Sequence, residues 1–193
     1  MVKNILEWIA SIGVALVAAW VITTFVGTKY QVHGESMHPT FENGDNLVVS
    51  KISKSLDTIN RGDVIILHGN EKKDYIKRLI GVPGDTVEYK NDQLYINGKK
   101  VDEPYLNYNK EHKFSEYLTE NFDVSDTRNS GGNKVIPKDK YLVLGDNRMN
   151  SNDSRLELGL ITKDQIVGKA KMRVLPMKNM KYDFYSDSFD KVN

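Results

Sequence analysis

The stretch DYIKRLIGVPGD, residues 74–85, reads as a strand that runs into a turn at Pro83-Gly84-Asp85. Strand alternation puts Tyr75, Lys77 and Leu79 on one face and Ile76, Arg78 and Ile80 on the other. A lysine among apolar strand neighbours has two readings. On an edge strand Lys77 would snorkel to water, which is the usual fate of an arbitrary lysine. Alternatively its amine is buried and kept neutral by desolvation. Moving it from ~10.4 to near 7 takes roughly 4.6 kcal/mol, which burial can supply. Such an amine suits a general base that activates a serine and later returns the proton to a leaving amine.

The sequence around it repeats the pattern. NLVVSKI (46–52), DVIILHG (63–69), DTVEYK (85–90), QLYING (93–98) and KYLVLGD (140–146) are β-like. They are separated by turn signals such as Asn43-Gly44-Asp45, Arg61-Gly62-Asp63 and Asn97-Gly98. VEYKNDQLYING reads as a hairpin with Asn91-Asp92 at its tip. Helical periodicity is scarce here, apart from a short turn near 162–166. The expectation is a mainly β, antiparallel domain over 28–176. Between Glu103 and Pro137 the composition turns polar and poor in aliphatics, so a small polar insertion or cap is expected at about 86–136. A polar tail, 177–193, closes the chain.

From Ile9 to Val26 no residue is charged. Extended back to Ile5, the run approaches the ~20 residues that cross ~30 Å of hydrocarbon. A cleaved signal peptide would have an apolar region of roughly 7–15 residues followed by a polar cut site, whereas Val17-Ala18-Ala19 lies inside the run. A core helix would be amphipathic, and this run is apolar all round. It reads as one uncleaved transmembrane helix over 5–27, with 1–4 ahead of it. Lys3 before the run and Lys29, Lys51 and Lys54 after it leave the orientation nearly unbiased.

The 193 residues are 39% hydrophobic and 27% charged, with a net charge of +1. That suffices for one domain with a core and offers no footprint for nucleic acid. Cysteine is absent, which excludes a disulfide framework, a thiol nucleophile and a thiolate metal site. His33, His38, His68 and His112 show no metal-ligand spacing.

Two further stretches carry candidate chemistry. In YQVHGESMHPTF (30–41), Ser36 lies just beyond the apolar run. A hydroxyl needs a neighbouring base to become a nucleophile. His33 and His38 are near in sequence but need not reach it, and Gly34-Glu35-Ser36-Met37-His38 lacks the second glycine of a hydrolase elbow. LGDNRMNSNDSRLELGLI (144–161) interleaves two arginines with aspartates. That pattern suits a rigid charge-paired network, with Ser151 and Ser154 as short hydroxyls able to orient an amine.

Together, Ser36-Met37-x-Pro39-Thr40, Arg61-Gly62-Asp63-Val64, the Tyr75–Asp85 box and Gly145-Asp146-Asn147-Arg148-x-x-Ser151-x-Asp153-Ser154-Arg155 resemble, in order, the boxes of type I signal peptidases. The likeness covers about 5–176, behind an anchor, and is nearest the small Gram-positive type. It implies a membrane-bound serine endopeptidase with Ser36 as nucleophile and Lys77 as general base, working through an acyl-enzyme and using no cofactor or metal. Ser151 would orient the lysine, and Arg78, Asp146, Asp153 and Arg155 would form a supporting network. Val32, Met37, Phe41, Asp74, Tyr75 and Ile76 would shape pockets for Ala-x-Ala signal peptides. The peptide would lie between a strand at 31–34 and the Lys77 strand.

The implied partners are the signal peptides of secretory preproteins, the lipid bilayer and a nearby secretion translocon. The implied topology has the N-terminus cytoplasmic and the catalytic domain extracellular. Val174-Leu175-Pro176-Met177 would rest on the bilayer or pack in the core. One oxyanion donor is missing from the pattern. The family's better-known branch has a serine two positions before the nucleophile, where this chain has Gly34, leaving a backbone group or water to replace a donor worth ~10²–10³ in rate. A tethered peptide-binding domain without catalysis would lack the dyad residues. A self-cleaving repressor would need a DNA-binding module, and a sortase would need cysteine.

Overall fold

In a computed structural model of the chain, residues 2–21, 28–51, 58–69 and 73–193 are described. Among the described residues a helix, α1 (Val2–Val21), precedes twelve strands. The main sheet contains β1 (Thr28–Gln31), β2 (Asn46–Ser50), β3 (Val64–His68), β4 (Asp74–Gly81), β9 (Lys140–Leu144), β10 (Ile161–Thr162) and β11 (Ile166–Leu175). Its order is β1-β2-β11-β3-β4-β9-β10, with β12 (Lys181–Tyr182) added on β11. Every pairing is antiparallel.

β4 behaves as its alternation requires. Leu79 packs with Ile65, Leu67 and Val143 on one face, and Ile76 packs with Phe41, Leu47 and Val64 on the other. A bulge between Leu79 and Gly81 diverts Ile80 into a third cluster, with Val87 and Leu94. Lys77 is 2% exposed, so it is a buried amine and not a snorkelling edge lysine. Pairing with β9 starts only at Arg78. The edge of Asp74–Lys77 opposite β3 therefore has no strand partner among the described residues.

The six strand-like stretches read from the sequence all form strands. Three features differ from expectation. The strand expected at 31–34 lies earlier, at Thr28–Gln31, because Gly34 adopts φ +86° and breaks the extension. The cap is a second sheet, β7 (Lys99–Val101), β6 (Gln93–Ile96), β5 (Val87–Lys90) and β8 (Phe122–Asp123), in that order. Its Asn91-Asp92 tip has φ 50° and 63°, as a tight hairpin requires. Its polar composition hides a core, since Val87, Tyr89, Leu94, Ile96 and Val101 are all buried. β11, the ten-residue strand between β2 and β3, went unread because Lys169, Lys171 and Arg173 give it a solvated look. Lys169 is in fact buried and paired with Asp63, while Arg173 pairs with Asp45.

The tail, read as polar, is docked through buried Phe184 and Phe189. Leu175 and Met177 are 40% and 73% exposed, which removes the core-packing reading for these two. Among the described residues no helix is long and apolar enough to cross a membrane. The expected span of 5–27 falls partly, at residues 22–27, outside the described residues.

Candidate active site

Ser36 owes its place to the way β1 ends. Beyond Gln31, Val32 N–H still donates to Asp45 O at 2.8 Å and Val32 O accepts from Gly44 N–H at 2.9 Å. The chain then tightens, with His38 N–H donating to Glu35 O and Phe41 N–H to Met37 O, each at 3.0 Å. Met37 and Phe41 are fully buried under this turn, which pins it to the sheet. Ser36 is left half-buried at its head.

There it meets Lys77 from β4, whose Nζ donates to Ser36 Oγ at 2.7 Å and to Ile76 O at 3.0 Å. Burial pushes the Lys77 amine down to about 8, with Arg155 helping and the Asp153 and Asp146 carboxylates opposing. The neutral form is thus accessible near physiological pH. An Oγ–H hydrogen bond to a neutral Nζ is the arrangement from which a serine proton is abstracted.

The loop after β9 holds both partners. Asn147 N–H donates to Ser36 O at 3.0 Å and Asn147 Nδ2 to Glu35 O at 3.1 Å. Asp146 is buried and grips the other side of the turn, accepting from Thr40 Oγ1 at 2.6 Å. It also accepts from Arg78 Nε at 3.0 Å and Nη2 at 2.7 Å, a bidentate pair. Asp153 accepts from Gly145 N–H at 3.0 Å and from Arg155 Nε and Nη2 at 2.9 and 2.8 Å. Burial alone would raise the Asp153 carboxyl, but the Arg155 contacts and the Gly145 N–H hold it below the usual range. The structure therefore gathers Arg78, Asp146, Asp153 and Arg155 around the Ser36–Lys77 pair.

Ser151 Oγ is buried beside Gly145 and makes no hydrogen bond of ordinary geometry among the described residues, Lys77 included, while it lies close enough to Asp153 to help hold that carboxyl down. Three supporting residues escaped the sequence reading. Arg148 donates to Gly145 O at 2.9 Å, to Tyr89 Oη at 2.8 Å and to Glu103 Oε1 at 2.6 Å, tying the loop to the cap. Its only signal was a place in the same Asp/Arg-rich motif. Asn109, on α2 (Asn107–Glu111), bridges His38 O and Asp146 O at 2.8 Å each. Thr40 was visible only as part of its motif.

Two clefts adjoin across His33 and Tyr75. One of about 550 Å³ holds Ser36 and Lys77 and extends to Asn43, Asn150 and Asn152. The other, about 720 Å³, runs between Tyr30–His33 and Asp74–Ile76, with Leu47 and Ile66 along it. Tyr75 and His33 belong to both. Val32, Asp74, Tyr75 and Ile76 thus line the second cleft, whereas Met37 and Phe41 lie buried behind it. No cluster of three or more potential metal ligands occurs among the described residues.

The family model for signal peptidase, peptidase S26, matches residues 5–175. Signal peptidase IB of Staphylococcus aureus (strain MRSA252) is 52% identical over 185 residues, covering 95% of this chain and 96% of that protein. Signal peptidase I S of Bacillus subtilis (strain 168) is 46% identical over 182 residues, covering 93% and 94% respectively. The crystal structure of a signal peptidase I from Enterococcus faecalis V583 superposes with a TM-score of 0.53 at 37% identity, over 57% of this chain and 94% of that one. Ser36, Lys77 and the loop that holds them all lie within the matched span. The chain belongs to the signal peptidase family of the S26 peptidases and is a peptide-bond hydrolase.

Proposed function

We propose that this chain removes signal peptides from secreted preproteins by a Ser36–Lys77 dyad. The observation that carries the reading is the 2.7 Å contact between Ser36 Oγ and a Lys77 amine lowered to about 8. Neutral Lys77 takes the Oγ proton as Oγ attacks the scissile carbonyl, giving a tetrahedral oxyanion. The ammonium then protonates the leaving amine, so the mature N-terminus departs and the signal peptide stays esterified to Ser36. Lys77, neutral again, deprotonates a water that attacks the ester. Its ammonium finally returns the proton to Oγ as the peptide acid leaves. No third base is needed.

The substrate fits the second cleft as an extended strand. The β1 edge away from β2 and the open edge of Asp74–Lys77 offer backbone groups on both sides. Val32 and Ile76 form part of this cleft's wall, packed on buried Met37 and Phe41. Shallow pockets of this kind admit alanine and exclude larger side chains, which supports Ala-x-Ala selection. Membrane anchoring by α1 and residues 22–27 is supported by the uncharged run and by Trp8, Ile12, Val14 and Leu16, each more than half exposed in the isolated chain. Anchored so, with the N-terminus inside, the domain faces the outer surface where preproteins leave the translocon.

The test is cleavage of a purified preprotein, with the N-terminus of the product sequenced. Ser36→Ala and Lys77→Ala proteins should leave it intact. Cleavage at the parent rate by either variant would overturn the dyad.

A further inference from the structure

Proposed catalysis by Ser36 creates a negative oxygen that needs donors, and position 34 has no side chain to give one. It cannot easily acquire one either. Although no atom lies within 4 Å of where a Cβ would stand, Gly34 sits at φ +86°, a conformation that strains any L-residue. Serine at 34 is therefore disfavoured by the backbone and not by lack of room.

The open space beside Gly34 borders Asn43. Gly34 N–H donates to Asn43 Oδ1 at 3.0 Å. That contact fixes which way the amide faces, because the flipped amide would set one N–H donor against another. Oδ1 is thereby used, while Nδ2 makes no hydrogen bond among the described residues. Asn43 also lines the same cleft as Ser36 and Lys77. A neutral amide donor, oriented beforehand at the wall of the reaction cleft, is what stabilises a developing oxyanion without reorganisation. The turn Glu42–Asp45 that carries it is itself fixed, since Glu42 N–H donates to Asp45 Oδ2 at 3.0 Å and Arg173 clamps Asp45 at 2.9 Å.

We propose that Asn43 Nδ2 is the second oxyanion donor, acting with the Ser36 backbone N–H. This rests on the Ser36–Lys77 reading above. In the tetrahedral intermediate the carbonyl oxygen becomes negative and accepts both N–H groups. When the carbonyl re-forms, the charge leaves and the amide returns to solvent. Asn43 neither gains nor loses a proton.

Asn43→Asp separates donor from scaffold, because the carboxylate still accepts from Gly34 N–H but has no N–H to give. At the plateau of the pH–rate profile, where any change in Lys77 titration has been passed, kcat should fall about 10²–10³-fold with KM within a few-fold. Affinity for a peptide aldehyde that forms a hemiacetal on Ser36 should fall in parallel with kcat. Affinity of a Ser36→Ala protein for intact substrate should not change when Asn43→Asp is added. Asn43→Ala, which removes the donor without bringing the negative charge of Asp into the cleft, should lose rate by the same order, and its thermal midpoint reports how much of that is folding. If Asn43→Asp keeps kcat within threefold of the parent, Asn43 is a scaffold residue and the proposal is overturned. If Ser36→Ala cleaves like the parent, the dyad reading fails first, whatever Asn43 does.

Discussion

A buried lysine works against the fold that houses it. Lys77 is 2% exposed and its amine sits at about 8 where a solvated one sits at 10.5. Between those values the unfolded chain binds more protons than the folded one, so stability rises with pH over this window. The full penalty is present below about 8 and fades as pH climbs to 10.5. It amounts to at most roughly 3 kcal/mol at pH 7. In the dyad proposed above the same group would set the rate from the other side, because only the neutral amine could accept the Ser36 proton. kcat/KM should therefore rise with pH through about 8 and level above it. Lys77→Met should be inactive yet more stable than the parent at pH 7, by up to that amount less the lost hydrogen bonds to Ser36 and Ile76. The advantage should vanish near pH 10.5. Urea unfolding at pH 7 and 10.5, beside a pH–rate profile, checks both signs. A Met variant whose stability relative to the parent does not fall between pH 7 and 10.5 would mean that Lys77 carries no desolvation penalty.

Among the elements, the Gly145–Arg155 loop does most to turn two side chains into a pair, and its tightest point is Gly145. A Cβ there would lie 2.2 Å from Ser151 Oγ and 2.4 Å from Ser36 O. The second contact is backbone, so no rotamer change relieves it and Ser36 itself must move. Gly145→Ala should cut kcat by about 10²-fold or more, the order expected for a 1 Å misplacement. Peptide binding in the second cleft should be largely retained, which kcat and KM measured separately would show. How much of this was legible differs by element. β4, β9 and the β5–β6 hairpin announce themselves because their alternation or turn residues are local. β11 does not, because its basic residues find Asp63 and Asp45 across the sheet, partners that no local pattern names. The same holds in the site. Ser36, Lys77 and the Asp/Arg loop stand out as motifs, while Asn109 and Asn43 matter through contacts to residues 71 and 9 positions away.

At the scale of the whole molecule, two sheets that share one apolar cluster must be held in register around one serine, and the chain's end does much of that holding. The family model stops at residue 175, yet the tail beyond it touches two apolar clusters. Phe184 packs on Phe41 at 4.3 Å between centroids, and its carbonyl accepts from Arg78 Nη1 at 2.7 Å. Phe189 is buried in the cluster that the cap sheet shares with β4 and β9. Arg61 grips Asp85 through two bonds and reaches Val192 O at 2.8 Å. Ending the chain after Tyr182 removes two buried phenylalanines, each worth about 1.5–3 kcal/mol. It also strips a buried N–H of Arg78 of its acceptor, at about 1–3 kcal/mol. Allowing for repacking and new hydration, the expected destabilisation is at least roughly 3 kcal/mol, a fall in Tm of about 6–12 °C for a protein of this size. Deleting Asn193 alone removes exposed contacts to Arg61 and Tyr185 and one backbone bond to Phe189 O, but no buried side chain, and should shift Tm far less. Because Arg78 holds Asp146 and Asp146 holds Thr40 beside Ser36, the truncated protein should also lose cleavage activity at temperatures where the parent keeps it. Thermal unfolding of the two truncations, with preprotein cleavage followed across the same range, decides the matter. A chain ending at Tyr182 with the parent's Tm would show that the two sheets hold their register without the tail.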